Sequence, residues 1–503
     1  MGNKLIVPFV FSHKVDKRIF AWIFCKYADF CLRNDMPMIT EEEYCRDEAL
    51  IDSYNSWDPQ KDVCTVLAPD REILKKQLKS VVITEDERKT YLKDLDIDNS
   101  SKSRIWVSVE EHKGFEELID KKIREVEARY GKINVIVTWI RYPALAECAR
   151  KYGIKVLTQE VSSVRGGYTY KEVLGYFNFG EKYTSKTIQE DYLAVENQLD
   201  QEVVLSRKEI LALILKKEHL EILNRLEDAI YEFGVDADAE RDAFFGKYSD
   251  ISQREIIEGV RRLIDPSNVL ARYHPHTKPE NPELEFDIDD SVSSLEWILK
   301  CRRIVSGISN VGFEAALAGR TAYILCEKAP FYSAGVHSLR NMEESITPIK
   351  MLNYMLFGYF APWDLMFDVD YILWRAADPD PIEVYRRNLS YVLKKEQLDY
   401  NEMSEISQEQ RIKDILSKIH GLSDNEIERF VKKSRNKPYL EILEIQESCQ
   451  KKLNETNIEL ESRKSELAYY KNEVKTMRDS TSWRMTKPLR NGGDILRKVK
   501  KMH

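Results

Sequence analysis

The sequence has no CxxC pair, no apolar run long enough to span a bilayer and no excess of positive charge, and each absence removes a class of protein. Its eight cysteines (Cys25, Cys31, Cys45, Cys64, Cys148, Cys301, Cys326, Cys449) are scattered, several of them inside apolar runs where a thiol packs as a small hydrophobe. That argues against a disulfide framework and for a reducing cytoplasm. The amino terminus, MGNKLIVPFVFSHKVDK, is broken by Pro8 and soon reaches His13 and Lys14, too short an apolar stretch for a secretory core or a membrane span. Ile6 stands where a myristoylation motif needs Ser or Thr. The formal net charge of −8 argues against a nucleic-acid partner.

What is present is a chain of 503 residues, 43% hydrophobic and 32% charged, long enough for several domains with sizeable cores. Strand-like and helix-like periodicities alternate along it. Lys4 to Phe11 reads as a buried strand and Arg18 to Leu32 as an amphipathic helix. Met36 to Asp98 reads as an acidic, irregular decoration with a strand at Val63 to Ala68 and a helix at Asp70 to Leu78. Ile105 to Val109 reads as strand, Gly114 to Tyr130 as helix, Asn134 to Thr138 as strand, Pro143 to Tyr152 as helix and Lys155 to Thr158 as strand. Alternation of this kind predicts a parallel, helix-covered sheet. Ser185 to Glu232 is polar and helical and connects two halves. Ala229 to Val235 (strand), Ser252 to Leu263 (helix) and Val269 to Tyr273 (strand) open the second.

The stretch with most chemical content is Cys301 to Gly335. It reads as strand (Arg303 to Gly307), helix (Val311 to Ala318) and strand, with Ser309 and Asn310 at the helix start and Gly319 at a left-handed stop. A helix that begins at the carboxyl end of a buried parallel strand turns backbone N–H groups and its positive dipole end toward the crevice where α/β sheets bind phosphates. The same residues also suit a plain structural cap. Two further loops are expected on this edge: Pro330, Phe331, Tyr332 and Gly335 after the second strand, and His274 with Pro275 after Tyr273.

Two carboxylate groups complete the candidates. Glu160 follows a strand end beside Arg165, Gly166 and Gly167, where general acid/base chemistry is often housed, though an exposed or ion-paired carboxylate fits as well. Asp236, Asp238, Glu240 and Asp242 follow the strand ending at Val235 and read either as a strand-end nucleophile site or as a solvated turn. The aromatic linker Tyr359, Phe360, Trp363, Phe367, Tyr371 and Trp374 reads as packing between lobes. Leu453, Leu460, Leu467 and Val474 recur at seven in the 440–477 segment, which gives either a weak coiled coil or a single charged helix. From Ser480 to His503 there are seven Lys or Arg against one Asp, a basic tail that suits an anionic membrane face or plain solvent.

Ser309 to Gly335 (SNVGFEAALAGRTAYILCEKAPFYSAG), His274-Pro275 and Glu160 with Arg165 together resemble the bacterial retaining β-Kdo glycosyltransferases of capsule and O-antigen synthesis. The resemblance covers about residues 1–400. It implies an α/β, GT-B-like pair of Rossmann-type lobes with a cleft between them: residues 1–185 on the acceptor side and 186–400 on the CMP-sugar side. A small helical segment (401–438) and a charged helical tail (439–503) follow. It further implies CMP-β-Kdo as donor, no metal and no other cofactor. His274, Pro275, Ser309, Asn310, Gly312, Glu314, Tyr332 and Arg165 are then donor-binding, Asp238 (or Asp236) is the nucleophile of a double displacement, and Glu160 is the base for the acceptor hydroxyl. Here Glu232-Phe233-Gly234 replaces the family's usual Pro-Leu-Gln, and Ser333 its usual Ala. The implied partners are a lipid-linked glycan acceptor, the inner face of the cytoplasmic membrane through the basic tail, and an oligomeric or assembly partner through residues 440–477. Two alternatives remain: another nucleotide-sugar donor, or a silent scaffold of a polysaccharide-assembly complex.

Overall fold

The computed structural model describes residues 4–46, 71–179, 185–226, 228–237, 251–273, 284–327, 329, 331–340, 344–435 and 464. The expected strand Val63 to Ala68, Pro330, and the heptad and basic tail lie outside these residues. In chain order the strands are β1 (Leu5–Val10), β2 (Pro37–Glu41), β3 (Lys79–Ile83), β4 (Ile133–Thr138), β5 (Lys155–Arg165), β6 (Val173–Phe179), β7 (Tyr231–Asp236), β8 (Val269–Arg272), β9 (Asp287–Ile288), β10 (Cys301–Ser306), β11 (Thr321–Ile324) and β12 (Phe360–Pro362). They form a seven-stranded sheet ordered β12-β6-β5-β4-β1-β2-β3 and a five-stranded sheet ordered β11-β10-β7-β8-β9. Pairing is parallel except at β5·β6 and β6·β12. Both sheets belong to one compact unit, Met1–Arg435. These are the parallel, helix-covered sheets that the alternating periodicities predict, in the α/β, GT-B-like pair of Rossmann-type lobes that the resemblance implies.

Strands buried on both faces explain the continuous apolar runs. In LIVPFV, Ile6 and Val10 enter one cluster with the helix Ala21–Asn34, whereas Leu5, Val7 and Phe9 enter another with the helices Lys113–Tyr130 and Pro143–Tyr152. Period-2 alternation therefore divides one hydrophobic run between two cores. The second sheet repeats this: Ile304 faces a cluster with Trp297 and Phe313, and Val305 one with Val260 and Tyr323. Gly234 in β7 has a packing reason, since a Cβ there would lie 2.6 Å from Ile304 Cδ1 and 3.0 Å from Trp297 Cζ2.

Four sequence expectations need correction. Ile105 to Val109 is not a strand but the end of the helix Ser101–Val109, capped by Ser100, whose side chain accepts from Ser103 N. Its alternating pattern is overridden by Arg104, which is fully buried and reaches Glu41 (3.0 Å), Ser12 O (2.7 Å) and Ile97 O (2.6 Å). Met36 to Asp98 is no decoration, because it supplies β2 and β3 to the sheet, and Glu41 at the end of β2 ties down the loop after β1 by accepting from Ser12 N at 2.8 Å. Ser185 to Glu232 is broken into the helices Ser185–Val195 and Arg207–Ile214 and shorter turns. The strand at Lys155 runs on to Arg165, so Glu160 lies inside it and not after its end.

Candidate functional site

Each sheet reverses its strand progression once. In the first, β1 leads to β2 and β3 on one side and the chain then returns to place β4 on the other. In the second, β7 leads to β8 and β9 and the chain returns to β10. Open α/β sheets bind ligands in the crevice outside the carboxyl ends of the strands at such reversals. The two addresses are thus β1|β4 and β7|β10.

At β7|β10, Asp236 ends β7 and is buried, opposite Arg272 at the end of β8. The Arg272 guanidinium donates to Asp289 (2.7 Å) and to Ser291 O (2.7 Å), which fixes the β8 end. Asp238, His274 and Pro275 follow on this edge in sequence but lie outside the described residues. β10 ends at Ser306, whose buried hydroxyl has no hydrogen-bond partner among the described residues. Ser309 (buried) and Asn310 (half-buried) then lead into the helix Val311–Leu317.

The expected cap is absent. Asn310 has helical backbone angles and makes no side-chain cap bond. Gly312 N and Phe313 N already donate to Ser309 O and Asn310 O at 3.2 and 3.1 Å. A tight first turn takes up amides that an ideal helix start leaves unsatisfied, because i→i+3 bonds replace side-chain caps. Gly312 sits where a Cβ would lie 2.9 Å from both Ile324 Cγ1 and Ser306 Oγ, so its lack of a side chain lets the helix lie on β10 and β11. Gly319 does take the left-handed conformation expected of it (φ +72°). Tyr332 lies in a short turn and stacks on His337 with centroids 3.6 Å apart and planes at 15°.

Glu314 lies one turn into the helix and is buried, accepting from Tyr170 OH at 2.8 Å and from Ser294 Oγ at 2.7 Å. Burial raises its pKa above the usual carboxylate value, against the pull of those two hydroxyls and of Arg165 and Arg272. Its carboxylate is therefore held by the protein's own hydroxyls.

At β1|β4 the loops after the strands meet an aromatic pocket of about 210 Å³, open solvent space included, lined among others by Phe11, Phe20, Tyr27, Trp139 and Ile140. His13 and Lys14 follow β1. Burial, helped by Lys14 and Arg104, lowers His13 to about 3, and burial lowers Lys14 to about 8. Tyr27 OH donates to Gln159 Oε1 at 2.7 Å, and Gln159 Nε2 to Met366 O at 2.6 Å, which fixes this part of β5.

Glu160 is the next residue. It is half-buried, opposite Tyr176 on β6, and accepts from the Val161 N–H at 2.9 Å. Burial pushes it up to about 7, against that hydrogen bond and the Arg165 charge. A carboxyl group titrating near neutrality can take a proton from a hydroxyl. Past Val161 the register shifts until Arg165 pairs with Val173, a bulge that aims Ser163 Oγ at Asn310 O, 3.2 Å away. Gly166 and Gly167, both at φ +69°, then turn the chain back.

The structure thus places Arg165 within electrostatic reach of both Glu160 and Glu314, joins β5 and the turn after it to Asn310 and Glu314 through Ser163 and Tyr170, and sets Asp236, Ser309 and Gly312 at one strand reversal. Tyr170, Ser163 and Tyr27 were missed in the sequence, although the Gly166-Gly167 pair marks the turn that delivers Tyr170. Among the described residues no three His, Cys, Asp or Glu side chains gather to hold a metal ion, and no helix is long and apolar enough to cross a membrane.

Residues 7–182 match the Glycosyltransferase 99 family N-terminal domain, a span that takes in β1 to β6 and Glu160. No curated protein matches the sequence. Among solved structures, the chain is similar to the beta Kdo 2,7 transferase of Thermosulfurimonas dismutans KpsC, at 18% identity over 52% of this chain and 90% of that one, TM-score 0.32. It is also similar to the beta Kdo 2,4 transferase of the same protein (9% identity, 48% and 87% covered, TM-score 0.28). A third is the UDP-GlcNAc 2-epimerase of Methanocaldococcus jannaschii (13% identity, 67% and 88% covered, TM-score 0.26).

Proposed function

We propose that the chain is a retaining glycosyltransferase that moves Kdo from CMP-β-Kdo to a glycan acceptor. The observation that carries this reading is Glu160, a half-buried carboxyl held near neutrality on the strand that leads into the helix-head region, inside the span that matches a glycosyltransferase domain. In this reading the β7|β10 crevice receives the cytidylate. Ser309 and Asn310 before the helix, with His274, hold the phosphate as it becomes a dianionic leaving group. Asp238, or Asp236 in its place, attacks the anomeric carbon and forms a glycosyl-enzyme as the bond to CMP breaks. Glu160 then takes the proton of the acceptor hydroxyl as that oxygen displaces the aspartate, and two inversions give net retention. The acceptor lies on the β1|β4 side, where the half-buried Trp139 offers an aromatic face. A lipid-linked acceptor at the inner face of the cytoplasmic membrane, reached by the basic tail, fits the charge of residues 480–503.

The test is product formation from CMP-β-Kdo with a panel of synthetic glycan acceptors, with the anomeric configuration read by NMR. A β-linked product from the wild type, lost in Asp238→Asn or Asp236→Asn and in Glu160→Gln, is expected. An α-linked product contradicts the double displacement, and no turnover with any acceptor contradicts the donor assignment.

A further inference from the structure

Among the described residues, a group of hydrogen bonds joins the tip of the β5–β6 hairpin to the second lobe. Ser163 Oγ donates to Asn310 O (3.2 Å), the Thr169 and Ser293 hydroxyls share a bond (2.6 Å), and Tyr170 OH donates to Glu314 Oε1 (2.8 Å) while Ser294 Oγ donates to Glu314 Oε2 (2.7 Å). Tyr170 also bridges to Leu215, with Lys171 N donating to Ile214 O and Lys216 N to Thr169 O. Val164, Tyr170, Leu174 and Tyr176 share one apolar cluster with Ile304 and Phe313. The β5–β6 hairpin therefore belongs to the first sheet by pairing and packs on both cores, Leu157, Val161 and Phe177 in the first and Val164, Tyr170, Leu174 and Tyr176 in the second.

This hairpin carries Glu160 at one end and grips the helix Val311–Leu317 at the other. We propose that the Tyr170–Glu314 pair is a positioning latch that holds Glu160 in register with the helix head at Asn310, and that Glu314 acts as a hydrogen-bonded bridge and not as a contact to the donor. The proposal rests on the reading of Glu160 as the base and the helix head as the donor side. Both Glu314 oxygens are engaged by hydroxyls of the protein and the residue is 5% exposed, which leaves the side chain little freedom to turn toward a ribose. An amide in its place can still accept from one hydroxyl and donate to the other. A methyl group can do neither.

The experiment uses the full chain with CMP-β-Kdo and whichever panel acceptor the wild type turns over, below the unfolding temperature of every variant and normalised to folded protein. CMP affinity is measured in parallel by calorimetry. Tyr170→Phe and Glu314→Ala are expected to lower kcat about 10- to 100-fold, since a displacement of about 1 Å costs about 100-fold, with CMP affinity held within about threefold. Glu314→Gln is expected to keep kcat within about threefold, and Tyr170→Phe with Glu314→Ala to be no worse than either alone. The latch is overturned if Glu314→Gln is as damaging as Glu314→Ala, if CMP affinity falls together with kcat, or if Tyr170→Phe turns over like the wild type. Should those variants fail to fold, Ser163→Ala at the same seam must show the kcat loss, and wild-type kcat there also overturns the proposal. A wild type that neither binds CMP nor transfers Kdo sinks the functional reading itself, a failure visible before any variant is made.

Discussion

Replacing Glu160 with Gln should remove activity and stabilise the protein above neutral pH. Burial raises this carboxyl from 4.5 to about 7, which at about 1.36 kcal/mol per pH unit corresponds to an upper bound of roughly 3 kcal/mol. The sign follows from proton binding. Below pH 4.5 the group is protonated in the folded and unfolded chains alike and costs nothing. Between 4.5 and 7 the folded chain holds its proton more tightly, so wild-type stability falls as pH rises through this window, and above 7 the full cost of a buried charge is present. Glutamine keeps the bond from Val161 N–H through its carbonyl oxygen and carries no charge, so Glu160→Gln should match the wild type at pH 4.5 and exceed it by up to about 3 kcal/mol at pH 8. Chemical denaturation of both proteins across this range measures the gap. Wild-type kcat/KM should rise through pH 7 as the base is freed, and the variant should be lower by about 100- to 10,000-fold. An equal stability difference at pH 4.5 and pH 8, or full wild-type activity at pH 5, would refute the reasoning.

Other expectations follow from named contacts. Arg104→Met takes from the fully buried Glu41 its closest guanidinium, leaves Lys17 at 3.3 Å and Arg88 at 3.6 Å, and should cost about 1–3 kcal/mol in denaturation. Gly175→Ala puts a Cβ 2.2 Å from Met366 Sδ and 2.7 Å from the Glu160 carbonyl oxygen, and should cost about 1–3 kcal/mol by overpacking and depress turnover by moving β5. Gly319→Ala, at φ +72° against the Arg207 side chain, should lower stability by about 1 kcal/mol and leave turnover unchanged.

The fold was legible where one period dominated. β1 and most of β4 are apolar runs buried on both faces, and the helices Lys113–Tyr130 and Pro143–Tyr152 carry clear buried stripes. It was illegible where a charged residue is buried. Glu41 and Arg104 look like surface residues in a string of letters, yet each is fully buried with the other as partner, and that pairing hid both β2 and the true class of Ile105 to Val109. Glu160 stands out in the sequence because a carboxylate beside an arginine and two glycines is unusual, although the strand carries on past it. The latch could not be read, because Tyr170 and Glu314 are separated by 144 residues and nothing local to either marks a partner. The resemblance implies a donor-binding place for Gly312, and the structure adds a packing reason independent of any ligand.

CMP binding is the most direct test of the central claim, that the β7|β10 crevice receives a cytidylate. The melting temperature of the full chain should rise with CMP concentration by ligand linkage and should not respond to UDP or GDP at the same concentrations. A larger response to UDP or GDP, or none to CMP and CMP-β-Kdo together, would contradict it.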